Sequence, residues 1–246
     1  MALDLSRIPV QATPFEQPLT HLADRLRGGG PVKVVAIGSS TTAGEGGIAP
    51  YPQRLLADLR NQFRAPFPNA AIDVINRGVS GEEAPLELRR FDNDVFRLDP
   101  DLVIWQVGTN SVWQPADQHP PSFEETTKAI RDGVDLLLGT KKIDVILMDL
   151  QYVPAVLTPA KAGATHAMVE AISDIAHKKG VNVFRRFELM KGWHDIARIS
   201  FDRLVDPGDD SRLHASDWTT DQMTWQLTGA INTAVNQAPP SSGARG

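Results

Sequence analysis

Three short polar segments follow apolar, β-branched runs along the chain: Gly38-Ser39-Ser40-Thr41-Thr42-Ala43-Gly44, Asn76-Arg77-Gly78-Val79-Ser80-Gly81 and Gly108-Thr109-Asn110. A Leu213-His214 pair lies near the C-terminus. Together these residue types can build a serine nucleophile, an oxyanion hole and a general base. A run such as Val32-Lys33-Val34-Val35-Ala36-Ile37 reads as a buried strand, and the Gly, Ser and Asn after it read as loop residues at its carboxyl end. In open α/β sheets active sites form at that edge.

Each motif also has a plain structural reading. The segment 38–44 alone is equally a tight strand-to-helix turn whose hydroxyls cap the helix. A phosphate cradle is its other rival, because a Gly-rich turn before a helix binds anions through backbone amides. No Gly-Lys-Ser/Thr follows, however, and Gly44-Glu45-Gly46-Gly47 does not match Gly-x-Gly-x-x-Gly. Gly78 alone reads as a turn glycine and Asn110 as a helix cap. His21, His119, His166, His177 and His194 have no supporting motif and read as surface or satisfied core residues. Trp105 reads as core, and Trp113 as either a pocket wall or a buried loop anchor.

Positioning these groups requires alternating strands and helices, the pattern of an α/β fold with a mostly parallel sheet. Strands are expected at residues 32–37, 71–75, 101–107, 143–150 and 181–184. Helices are expected at 15–27, 52–63, 123–138, 160–179, 187–199 and 218–235. In the second of these Leu55, Leu56, Leu59 and Phe63 share one face, and Pro52 suits its first turn. The domain is expected to span residues 1–237 with an N-terminal extension over 1–30. The Pro, Ser and Gly content of Ala238 to Gly246 predicts a flexible tail.

Taken together, the blocks resemble the SGNH hydrolase superfamily, the GDSL-type esterases and lipases. The family's first block, Gly-Asp-Ser-x-Thr-x-Gly, is matched by Gly38 to Gly44 with Ser39 in place of Asp. Asn76, Gly78 and Gly81 match the second block, and Gly108 with Asn110 the third. The last block, Asp-x-x-His, is matched imperfectly: Ser211 stands three residues before His214, and the nearest upstream acid is Asp210. The resemblance implies a three-layer α/β/α sandwich, flavodoxin-like, on a five-stranded parallel sheet. It further implies Ser40 as nucleophile, His214 as base, and Ser40, Gly78 and Asn110 as oxyanion donors. Asp210 is the acid expected to orient His214, with Asp209, Asp217 or a main-chain carbonyl as alternatives. An esterase acting on short acyl esters is implied, with an O-acetyl carbohydrate as first candidate. Acyltransferase, thioesterase and lysophospholipase activities are alternatives within the same family, and a non-catalytic binding protein with a decayed triad is a rival outside it.

Composition narrows the partners. The 246 residues are 41% hydrophobic with a formal net charge of −5, and the lysines and arginines are scattered, so nucleic acid is not an expected partner. There is no cysteine, hence no thiolate nucleophile, thiolate zinc site or disulfide. No histidine pair has metal-ligand spacing, so neither metal nor cofactor is expected. The first ten residues lack a signal-peptide pattern, and no segment reaches about 20 apolar residues. A soluble chain is expected, cytoplasmic as it stands or periplasmic or secreted if a leader has been removed, with no membrane insertion and its oligomeric state open.

Overall fold

The structure is a computed structural model and describes residues 10–240. The start of the N-terminal extension, 1–9, and the end of the expected tail, 241–246, lie outside the described residues. Five strands, β1 (Gly30–Gly38), β2 (Ala70–Gly78), β3 (Leu102–Gln106), β4 (Asp144–Met148) and β5 (Asn182–Phe184), form one parallel sheet in the order β2-β1-β3-β4-β5. From β1 the chain moves outward to β2 and then returns across β1 to β3. That reversal opens a crevice at the carboxyl ends of β1 and β3. Ser40 and Asn110 lie just beyond those two ends.

Alternation along the strands sorts the core into two layers. Val34 and Ala36 of β1, Leu102 and Ile104 of β3, and Ile146 and Met148 of β4 pack on one face. Val35, Ile37, Val103, Trp105, Val145 and Leu147 pack on the other. Strands buried on both faces become near-continuous apolar runs, which is why they were legible in the sequence. The helices are α1 (Thr20–Gly28), α2 (Ser40–Ala43), α3 (Tyr51–Phe63), α4 (Ala84–Arg89), α5 (Phe91–Asp94), α6 (Thr109–Trp113), α7 (Phe123–Gly139), α8 (Ala162–Lys179), α9 (Arg186–Asp195), α10 (Phe201–Leu204) and α11 (Asp217–Gln237). Helices α1, α3, α9 and α11 cover the first face, and α4, α5, α7 and α8 the second. The result is a three-layer α/β/α sandwich.

Several boundaries differ from the expected ones. Helix α1 starts at Thr20 rather than Phe15. Pro18 disfavours helix at the residue before it, and Gln17 instead exchanges two hydrogen bonds with the Asn182 side chain, both 2.9 Å. The helix expected over 187–199 ends at Asp195, and Arg198, in the left-handed region at φ 57°, precedes a separate short helix, α10. The first tail residues are anchored: Ala238 is buried, and Arg27 donates to the carbonyls of Ala238 at 2.7 Å and Pro239 at 3.0 Å. Among the described residues no helix is long and apolar enough to cross a membrane.

Candidate active site

Beyond Gly38 the chain turns at once into α2, a single helical turn that begins with Ser40. Gln106, the last residue of β3, holds this turn from beneath. Its Oε1 accepts from the Ser39 amide at 3.0 Å, the Ser39 hydroxyl at 3.1 Å and the Thr42 hydroxyl at 3.3 Å. Ser39, where the resembled block has Asp, is thereby committed to the interior. The Ser40 Oγ faces His214 Nε2 at 3.1 Å, and the Ser40 N–H has no acceptor among the described residues.

The acid on the other side of the imidazole is Asp209. Its Oδ2 lies 3.0 Å from His214 Nδ1 and also accepts from the amides of Leu213 at 2.8 Å and His214 at 2.7 Å. Its Oδ1 accepts from the Ser211 amide at 3.0 Å and hydroxyl at 2.6 Å. The expected Asp210 is exposed and does not reach the histidine. Asp217 is paired with Arg54 on the surface. The reason is the shape of the loop. Arg212 N–H bonds the Asp209 carbonyl at 3.0 Å, and Arg212 itself is left-handed at φ 54°. This reverses the chain, so that the amides of residues 213 and 214 point back at the Asp209 carboxylate. Burial alone pushes that carboxyl up, but bonds from the His214 amide, the Ser211 hydroxyl and the Leu213 amide, with the His214 charge, outweigh it and bring it to about 2. An ionised Asp209 holds the proton on Nδ1 and leaves the Nε2 lone pair toward Ser40.

The expected oxyanion donors are only partly available. Gly78 N–H is donated to the Asn76 Oδ1 at 2.8 Å, so it is not free for an oxyanion. Gly78 is required for a different reason: a Cβ there would lie 2.1 Å from the Ala43 nitrogen. Asn76 fastens the same contact, donating Nδ2 to the Thr42 carbonyl at 2.7 Å. Asn110 is buried, and its Nδ2 donates at 2.9 Å to the Glu82 carbonyl. A carboxamide has two N–H donors, so one orients the group and the second is left to act. The loop 79–82 also carries Gly81, at φ 80°, whose N–H has no acceptor among the described residues. The Gly81 carbonyl accepts from Gln114 Nε2 at 3.0 Å, and Ser111 donates to the buried Glu83 at 2.6 Å, so α6 and this loop are tied together.

A cavity of about 30 Å³ adjoins Ser40 and His214, walled by Ile48, Ala49 and Pro50. A larger one of about 860 Å³ lies on the far side of Gly81 between α4 and α7 and touches neither Ser40 nor His214. Trp105 is buried, its Nε1 donating to Glu87 at 2.7 Å, and Trp113 packs on the core edge. Of the other histidines, His194 stacks on Phe201 and His166 packs edge-on against Phe187. Among the described residues no three His, Asp or Glu side chains gather as metal ligands. Gln106 and the fastening role of Asn76 were not anticipated: a strand-end glutamine carries no motif of its own.

Residues 6–237 match the Non-GDSL lipase-like family. This chain belongs to that family, which is lipase- and esterase-like. The family's name departs from the GDSL placement suggested by the blocks, whose first block has Asp where this chain has Ser39. An acetylxylan esterase of Geobacillus stearothermophilus is 30% identical over 92 residues, 35% of this chain and 42% of that protein, so the matched stretch spans less than half of the relative. The solved structure of an acetylxylan esterase from the same organism superposes with a TM-score of 0.61 at 22% identity, over 85% of this chain and 96% of that one. An alpha/beta hydrolase enzyme from the metagenome of Lake Arreo, Spain, gives 0.59 at 20% identity, over 83% and 95%. At these identities the structural likeness concerns the fold.

Proposed function

We propose that this chain is an SGNH-type serine esterase that hydrolyses short acyl esters, acetyl esters of carbohydrates foremost, through an acyl-Ser40 intermediate. One observation carries the reading: Ser40 Oγ, His214 and Asp209 form an unbroken hydrogen-bonded relay of 3.1 Å and 3.0 Å at the crevice of the sheet. In it, His214 Nε2 takes the Ser40 proton as Oγ bonds to the ester carbonyl carbon. The carbonyl oxygen becomes an oxyanion held by the Ser40 N–H and the free Nδ2 hydrogen of Asn110, with the Gly81 N–H as third donor in place of Gly78. Collapse breaks the bond to the alcohol, which leaves with the proton from His214. Water then repeats the sequence on the acyl-enzyme and releases the acid. Short acyl groups are favoured because the space between Ser40, His214 and Ile48 is about 30 Å³. The name of the curated relative supports the acetylated carbohydrate.

The test combines a fluorophosphonate probe with an ester series. Stoichiometric labelling that vanishes in Ser40→Ala is expected, with a kcat loss of about 10³-fold or more and a nearly unchanged Tm. p-Nitrophenyl acetate should outrun the longer esters, and acetylated xylo-oligosaccharides should be deacetylated. Labelling that survives in Ser40→Ala would move the nucleophile elsewhere. Folded protein that neither labels nor turns over would be a binding protein, and transfer to an added alcohol outpacing hydrolysis would make it an acyltransferase.

A further inference from the structure

We propose that Gln151 is a positioning residue that sets the spacing between Ser40 and His214; this rests on the assignment of those two side chains as nucleophile and base. Gln151 follows the end of β4 by three residues and is 1% exposed. Its Nε2 donates to the Leu213 carbonyl at 2.5 Å, and its Oε1 accepts from the Thr41 hydroxyl at 3.2 Å. Thr41 directly follows Ser40, and Leu213 directly precedes His214. Apart from the Ser40–His214 pair itself, no other side chain among the described residues hydrogen-bonds both to the turn at 39–44 and to the loop at 206–215. Among the described residues the loop's other ties include the Asp209 carboxylate within it, the Asp206 amide on the His214 carbonyl at 2.9 Å, the Val205–Ala215 bridge, Arg212 on Asp202 and a longer bond from the Ala155 amide to the Arg212 carbonyl at 3.4 Å. None of them reaches the nucleophile turn.

Chemistry dictates which end of the amide faces which partner. The Leu213 carbonyl can only accept and must meet the NH2, whereas the Thr41 hydroxyl can donate to the amide oxygen. The position therefore needs one side chain with a donor end and an acceptor end at glutamine length. Without it the turn and the loop are free to drift apart, and a misplacement of about 1 Å in reacting groups costs roughly 10²-fold in rate. Ester binding does not depend on the Ser40–His214 spacing, so the loss belongs in kcat rather than KM.

Two substitutions test this. Gln151→Met keeps the shape and removes both polar ends; kcat should fall by about 10- to 10²-fold with KM within about twofold, and fluorophosphonate labelling should slow in proportion. Gln151→Glu adds a signature that packing alone does not produce. Ionised, it sets an oxygen against the Leu213 carbonyl; protonated, it supplies an O–H donor in place of the amide N–H. Its activity should therefore fall as pH rises through the titration of the introduced carboxyl, an arm absent from the native profile. Should the Gln151 variants not fold, Thr41→Val cuts the same tie from a half-buried residue and should lower kcat by about 2- to 10-fold. Native kcat in a folded Gln151→Met or in Thr41→Val, a Gln151→Glu profile parallel to the native one, or a kcat loss equal to the fraction unfolded overturns the positioning role. If Ser40→Ala is inactive while Gln151→Met is fully active, only this inference fails; an active Ser40→Ala removes the assignment beneath it.

Discussion

A single carboxylate does two jobs at Asp209: it accepts from the amides of Leu213 and His214 and faces the imidazole they carry. Folding the loop and orienting the His214 imidazole are thus one event. Asp209→Ala should lower kcat by about 10³-fold or more and loosen the loop, whereas Asp210→Ala, at an exposed neighbour, should leave both rate and Tm near native. Comparable losses in the two variants, measured on folded protein, would sink the assignment. Adjacent aspartates are indistinguishable by type, and counting residues back from His214 points to Asp210. The loop spends its extra residue on a left-handed return at Arg212, which a count cannot see. The nearest local signal was the Asp209-Asp210-Ser211 string, since an aspartate favours a bond to the amide two residues on.

At the level of elements, the site is the meeting of three strand ends. Gln106 at the end of β3 grips the turn after β1, and Gly78 at the end of β2 lets that turn lie directly on it. The register makes this contact obligatory, because Gly38 and Gly78 are paired across β1 and β2. Gly78→Ala would drive its Cβ into the Ala43 backbone, so α2 must shift. A stability loss of about 1–3 kcal/mol is expected, with loss of fluorophosphonate labelling in the protein that remains folded. Native labelling and Tm in this variant would show that α2 yields at no cost. In the second block the structure bonds the Gly78 amide, expected as an oxyanion donor, to the Asn76 side chain, and the glycine itself gives the Ala43 backbone room. The block's sequence shows where a side chain is forbidden, but not which way the N–H points.

For the molecule as a whole, the buried carboxyls tie stability to pH. Glu87 is fully buried beneath Trp105; burial raises it most, the Trp105 bond opposes this, and it reaches about 8. Between its ordinary value of about 4.3 and 8, the folded state keeps a proton that the unfolded chain has released, so stability falls as pH rises through that window. Asp209 acts in the opposite sense, its contribution being present above the ordinary carboxylate range and lost as pH falls toward 2. Tm of the native protein should therefore decline between pH 5 and 8.5. In Glu87→Gln, which keeps an acceptor for Trp105, the decline should be shallower by an amount worth about a few kcal/mol. Parallel Tm curves for the two proteins would remove Glu87 as the source.

The periodicity of the chain was enough to determine the parallel sheet, its two-sided burial and the order in which the serine, glycine and asparagine blocks follow their strands. Those are properties of local pattern, because a strand buried on both faces must be apolar along its length and a turn at its end must be polar and small. The short helices α4, α5 and α10, the early end of α9 and the anchoring of Ala238 were not visible there. Nor were the choice of Asp209, the engagement of the Gly78 amide by Asn76 and the grips of Gln106 and Gln151. Each of these depends on which atoms from distant parts of the chain arrive within about 3 Å of one another, as Gln151 meets Leu213 from 62 positions away. Only the packing of the sheet and its loops determines that, since hydrogen-bond geometry is a property of positions in space and not of residue type.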